Sequence, residues 1–173
     1  MGRQSGFTLL ELIISMVIMG IILVVGSMFF ATMLSGYNTA RQGVEYGQMA
    51  EIAVDRIVYE LKNATGQAGG DTVAVVANTS VTYESTAPVL SGSTRIISYD
   101  GTTDTINLSV AGTSHLLLEN VSAFTLGVTR NDLDGNAGNG NEISSFDVSF
   151  TITNYGAYSQ TFTMQIAPRE FLR

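Results

Sequence analysis

The 173-residue chain has no cysteine and no tryptophan, one histidine (His115), one lysine (Lys62) and two prolines. Without cysteine there is no disulfide, no thiolate metal ligand and no dithiol redox chemistry, and a lone histidine excludes a His-pair metal site. Lys and Arg number 8 against 15 Asp and Glu, a net charge of −7. Such a balance offers no basic stripe for a phosphate backbone, so no nucleic-acid partner is expected. A glycine-framed serine nucleophile, a Walker loop and a dinucleotide fingerprint are also missing, and an enzyme is not expected. His115, within His115-Leu116-Leu117-Leu118, reads as a strand-edge residue rather than a catalytic base. Asp100 and Asp104 flank a turn and read as turn formers.

Charge is absent from one long stretch. Residues 12–34 are 23 residues without an ionisable side chain, and the next charge is Arg41. A bilayer core about 30 Å thick needs roughly 20 apolar residues. This run reaches about 34 Å as a helix, enough to cross once with some tilt. A secretory signal has a shorter apolar core followed by its cut. Here the plausible cut precedes the run, between Gly6 and Phe7, behind a short polar leader with one basic residue, Arg3. The anchor therefore stays on the mature chain. A single carboxylate, Glu11, stands just inside the segment. A charged group at the centre of a membrane helix costs about 2.5–3.5 kcal/mol, so ionisable residues in such segments are usually functional.

Ser5-Gly6-Phe7-Thr8-Leu9-Leu10-Glu11-Leu12-Ile13 resembles the processing motif of type IV pilins and of type II secretion pseudopilins. The resemblance covers the N-terminal part of the chain. It implies that a prepilin peptidase cuts between Gly6 and Phe7 and methylates the new amino group of Phe7. It also implies that Glu11 meets the Phe7 amino group of a neighbouring subunit and so sets the axial stagger of a filament. The expected partners are the peptidase, other pilin or pseudopilin subunits through the N-terminal helix, and the membrane. The expected location is the bacterial inner membrane, single-pass, with a cytoplasmic N-terminus and a periplasmic or otherwise extracytoplasmic C-terminal domain, and then the pilus or pseudopilus. Arg3 fits that orientation. Gly20 and Gly26 either allow close helix packing or are neutral in lipid. Major pilins usually carry a proline about where Met28 stands, and its absence here points towards a minor subunit.

Beyond the apolar run the helix should continue. Ala50, Val54, Ile57, Leu61 and Ala64 recur at steps of four and three, with Glu51, Asp55, Glu60 and Lys62 read onto other faces. Asn63-Ala64-Thr65-Gly66 reads as its C-terminal stop. After residue 70 the period switches to two, predicting strands over 72–77, 81–84, 95–99, 105–110, 115–119, 123–129, 143–153 and 160–167. Short connections favour antiparallel pairing. The predicted fold is α+β and pilin-like: a long N-terminal helix, transmembrane in its first half, packed on an antiparallel β-sheet domain of one sheet or two. The expected divisions are a leader at 1–6, a transmembrane and filament-core helix at 7–35, its extramembrane half at 36–65, and the sheet domain at 66–173.

Residues 56–64, 116–125 and 162–169 are similar in apolar pattern to J-type minor pseudopilins and W-type minor pilins. That likeness implies a low-copy subunit of the tip complex that primes assembly, with I- and K-type partners. The alternative is an adhesive or DNA-uptake tip subunit. In the loop 131–142, Asp132, Asp134 and Asn136 alternate as oxygen ligands do in calcium loops, and Glu142 closes the segment. The EF-hand pattern fails, since Ala137 replaces its glycine and Ile143 stands where the bidentate glutamate belongs. The loop reads either as a Ca²⁺ site, in keeping with calcium-binding pseudopilins, or as a polar connection. No cofactor is required.

Overall fold

The computed structural model of the chain describes residues 8–65, 73–86, 93–132, 142–153 and 159–169. It divides into two compact units, residues 1–43 and 44–173. One helix, α1 (Leu9–Lys62), runs through 54 residues. In the second unit its buried side chains are Ala50, Ala53, Ile57, Glu60 and Leu61, with Val54 and Val58 half-buried, so the predicted stripe is the face that packs. The exception is Glu60, read from sequence as outward-facing and fully buried here.

The helix ends earlier than expected. Asn63 turns its amide back onto the Tyr59 carbonyl at 2.6 Å, satisfying an acceptor that the last turn leaves open. Ala64 and Thr65 then leave the helix as a two-residue strand, β1 (Ala64–Thr65), paired with Ser85 and Glu84. The Asn63 carbonyl accepts from the Thr86 N–H at 2.9 Å, which continues that ladder in place of another helical turn.

All eight predicted strands form, with described ends within about two residues of expectation. The first sheet holds β1, β2 (Ala74–Val76), β3 (Ser80–Ser85), β4 (Thr94–Asp100), β5 (Thr105–Val110) and β6 (Thr113–Leu118). Its order is β1-β3-β4-β5-β6, with β2 sharing the outer side of β3. The second sheet is β7 (Val121–Asn131), β8 (Glu142–Thr153) and β9 (Ser159–Ile166), in that order. Every pairing among the described strands is antiparallel. The division into two sheets falls between β6 and β7, where Asn120 takes a left-handed φ of 61°.

Alternation decides which faces meet. Phe146, Val148, Phe150 and Ile152 of β8 are buried, and Phe162 and Met164 of β9 are half-buried beside them. Ile97, Ile106 and Leu108 do the same for the first sheet, and the helix stripe completes one apolar cluster. The sheets are tied by Tyr99, whose ring stacks on Phe124 at 5.9 Å and whose hydroxyl donates to the Val121 carbonyl at 2.9 Å. Asp100 acts as the predicted turn former: its carboxylate accepts from the Thr102 N–H at 2.8 Å, which holds its carboxyl below the usual carboxylate range. His115 lies exposed on β6, an edge strand, as expected.

Candidate functional site

The helix start is built by Thr8. Its hydroxyl accepts from the Glu11 N–H at 3.3 Å, and its carbonyl takes the first backbone bonds from Glu11 and Leu12 at 3.1 and 3.2 Å. Threonine at the cap with glutamate three residues on is the capping-box pattern, and a carboxylate in the first turn also meets the positive end of the helix dipole. The observed bond uses the Glu11 backbone N–H; in the capping-box pattern a glutamate side chain at this position also supports the helix start, a role that Thr8-Leu9-Leu10-Glu11 announces in the sequence. Gly6 and Phe7, the expected cleavage pair, lie outside the described residues.

Every side chain from Thr8 to Gln42 is exposed. The large apolar ones include Leu12, Ile13, Val17, Ile21, Leu23 and Phe29. Soluble monomers rarely leave more than a few hundred Å² of contiguous apolar surface open to water. By length and composition this is a helix able to cross a membrane. Its hydroxyls suit that setting: Ser15 donates to the Leu12 carbonyl at 2.9 Å, Ser27 to Val24 at 2.8 Å and Thr32 to Met28 at 3.0 Å. Each polar group finds its acceptor in the helix's own backbone, as hydrocarbon surroundings demand.

The second constellation lies in the head unit. Glu60 Oε2 accepts from Arg95 Nη1 at 2.5 Å and from the Tyr83 hydroxyl at 3.1 Å, while Glu60 Oε1 pairs with Arg56 Nη2 at 2.7 Å. Glu60 and Tyr83 are fully buried and Arg95 is 3% exposed, whereas the Arg56 side chain is 47% exposed and lies beside the Tyr59 ring. The register Tyr83↔Arg95 brings both partners onto the sheet face beneath α1. One carboxylate therefore fastens the helix to two adjacent strands. Burial above all, then the charge and hydrogen bond of Glu60, push the Tyr83 hydroxyl well above the ordinary tyrosine value of 10.0.

That shift has a sign. Above pH 10 the unfolded chain releases the Tyr83 proton while the folded chain keeps it, so stability attributable to Tyr83 is full below pH 10 and falls above it by about 1.4 kcal/mol per pH unit. Alkaline denaturation should show this loss, and a Tyr83→Phe chain should show a shallower one.

The expected calcium residues are only partly in view. The register Asn131↔Glu142 sets Asp132 and Glu142 at the two stems of the loop, with Asp132 exposed and Glu142 buried. Asp134 and Asn136 lie outside the described residues, and among those described no three His, Asp or Glu side chains cluster as metal ligands would.

The chain matches the family described as "Prokaryotic N-terminal methylation motif" over residues 1–27. This supports a type IV pilin-like protein, a structural class, and agrees with the apolar helix and the α+β head. No curated protein and no solved structure matches the chain.

Proposed function

We propose that the chain is a structural subunit of a type IV pilus or a type II secretion pseudopilus. The observation that carries this is the methylation motif opening an exposed apolar helix whose first turn holds one carboxylate, Glu11. On this reading residues 1–6 are a leader, 7–35 anchor the subunit in the inner membrane and form the filament core, 36–65 extend the helix outside, and 66–173 form the extracytoplasmic head. A prepilin peptidase cuts between Gly6 and Phe7 and methylates Phe7. Glu11 then receives the Phe7 amino group of a neighbouring subunit, and extraction from the membrane adds the subunit to the filament.

Its finer place is that of a minor subunit in the tip complex that primes assembly. The absence of proline around Met28 and the apolar patterns of 56–64, 116–125 and 162–169 support it. Peptide mass spectrometry of sheared filaments should then find the chain at a trace ratio to the main subunit. Equal abundance would overturn the minor role.

Processing is tested with Gly6→Leu. The native chain should yield an N-terminal peptide beginning at methylated Phe7, made only where a prepilin peptidase is present. The variant should keep residues 1–6, and mature protein from it would refute the assigned cut.

A further inference from the structure

We propose that the outer edge of β6 binds an extended, acidic segment of a different protein, which adds a strand to the first sheet and fills the groove beneath α1. β6 ends the first sheet, and among the described residues no backbone hydrogen bond reaches it from the side away from β5. A groove of about 460 Å³ runs along this edge. Ile52 and Arg56 of α1 form one wall, and Leu108, Val110 and His115 of the sheet form the other.

The register explains why a strand fits. Leu108↔His115 and Val110↔Thr113 set these four residues on the sheet face that looks towards α1. Side chains alternate between faces, so a strand laid outside β6 would send every second side chain into this groove, while its backbone meets the open edge. Natural edges are usually blunted by lysine, proline or an inward charge. Thr113-Ser114-His115-Leu116-Leu117-Leu118 contains neither lysine nor proline, and Leu116 is 58% exposed.

Charge selects the occupant. In a chain of net charge −7, the ionisable residues that line the groove among the described residues are Arg56 and His115. Glu60 Oε1 holds one nitrogen of the Arg56 guanidinium, whose half-exposed side chain has further donors for a second carboxylate. The chain's described edge strands do not supply that carboxylate: β1, β2, β6, β7 and β9 contain no Asp or Glu. On charge, the occupant is a strand of a different protein with inward apolar residues around one inward Asp or Glu, and a second copy of this chain is an outcome of the test below. The site lies wholly within residues 44–173 and does not depend on the processing or membrane reading.

The test uses the full chain in detergent micelles and a short synthetic strand of alternating valine and threonine with a central glutamate. The peptide is N-methylated along one edge to prevent its own stacking. Fluorescence anisotropy should report binding, and amide exchange should slow along Thr113–Leu118. A central lysine in the peptide, or Arg56→Gln in the protein, should weaken binding at least about tenfold. Ile52→Glu, at a residue 70% exposed, should abolish binding with the thermal unfolding curve unchanged. Equal binding of the glutamate and lysine peptides, protection at β9 in place of β6, or no binding would overturn the proposal. So would self-association of the chain through β6 that the glutamate peptide does not displace.

Discussion

Glu60→Ala is expected to destabilise the head by about 3–5 kcal/mol, the usual cost of breaking a buried ion pair from one side. The loss follows less from the attraction removed than from what stays behind. Arg95, 3% exposed, would stay buried without the Glu60 carboxylate. The Tyr83 hydroxyl, fully buried, would lose its acceptor at the same stroke. Arg56 should matter far less, because its side chain is 47% exposed and water screens the pair; Arg56→Ala should cost under about 1 kcal/mol. Denaturant unfolding of the full chain in micelles, followed by tyrosine fluorescence since tryptophan is absent, measures each variant. A Glu60→Leu, Arg95→Met pair should recover most of the loss, as apolar replacement of a buried pair commonly does. A Glu60→Ala cost below about 1 kcal/mol would mean that water reaches the cluster.

The second large effect is on assembly. Glu11→Ala should insert and be processed normally, yet enter filaments about 10- to 100-fold less well. That range is the equivalent of one charge-assisted hydrogen bond between subunits in surroundings free of water. The helix start complicates the reading of that variant, because Thr8 and Glu11 have the capping-box spacing, in which a glutamate side chain supports the cap and alanine would not. Glu11→Gln separates the two roles. Glutamine serves in a capping box but carries no charge, so a Glu11→Gln chain that assembles like the native one would assign Glu11 to the helix start. A Glu11→Gln chain as defective as Glu11→Ala would assign it to the partner amino group. Incorporation is read by peptide mass spectrometry of sheared filaments against the cell envelope.

The elements that periodicity governs were legible from the residues. The stripe from Ala50 to Leu61 and the alternation of β8 both repeat long enough to exclude the other period. What escaped depends on partners distant in the chain. Glu60 sits on the packed face three residues after Ile57, but a carboxylate is assigned to the surface unless a cation is known to meet it. That cation is Arg95, 35 residues later on a strand of its own. β1 escaped because two residues carry no period; only its pairing with Glu84 and Ser85 defines it. The groove beside β6 is a property of sheet order, which the sequence pattern left open. The capping box was in plain view and was overshadowed by the processing motif that shares its glutamate.

The back-bonded hydroxyls of Ser15, Ser27 and Thr32 bear on how the anchor could change company. A membrane helix that relied on its neighbours to satisfy those groups would have to break bonds whenever it moved from one setting to another. Here the donors are already closed upon the same chain. A transfer from acyl chains to a sleeve of sister helices would therefore exchange one greasy contact for another and leave these three hydroxyl bonds as they were. On the filament reading, the polar contact that changes in that transfer is the one at Glu11, and the hydroxyls add nothing to the work of drawing the subunit outward.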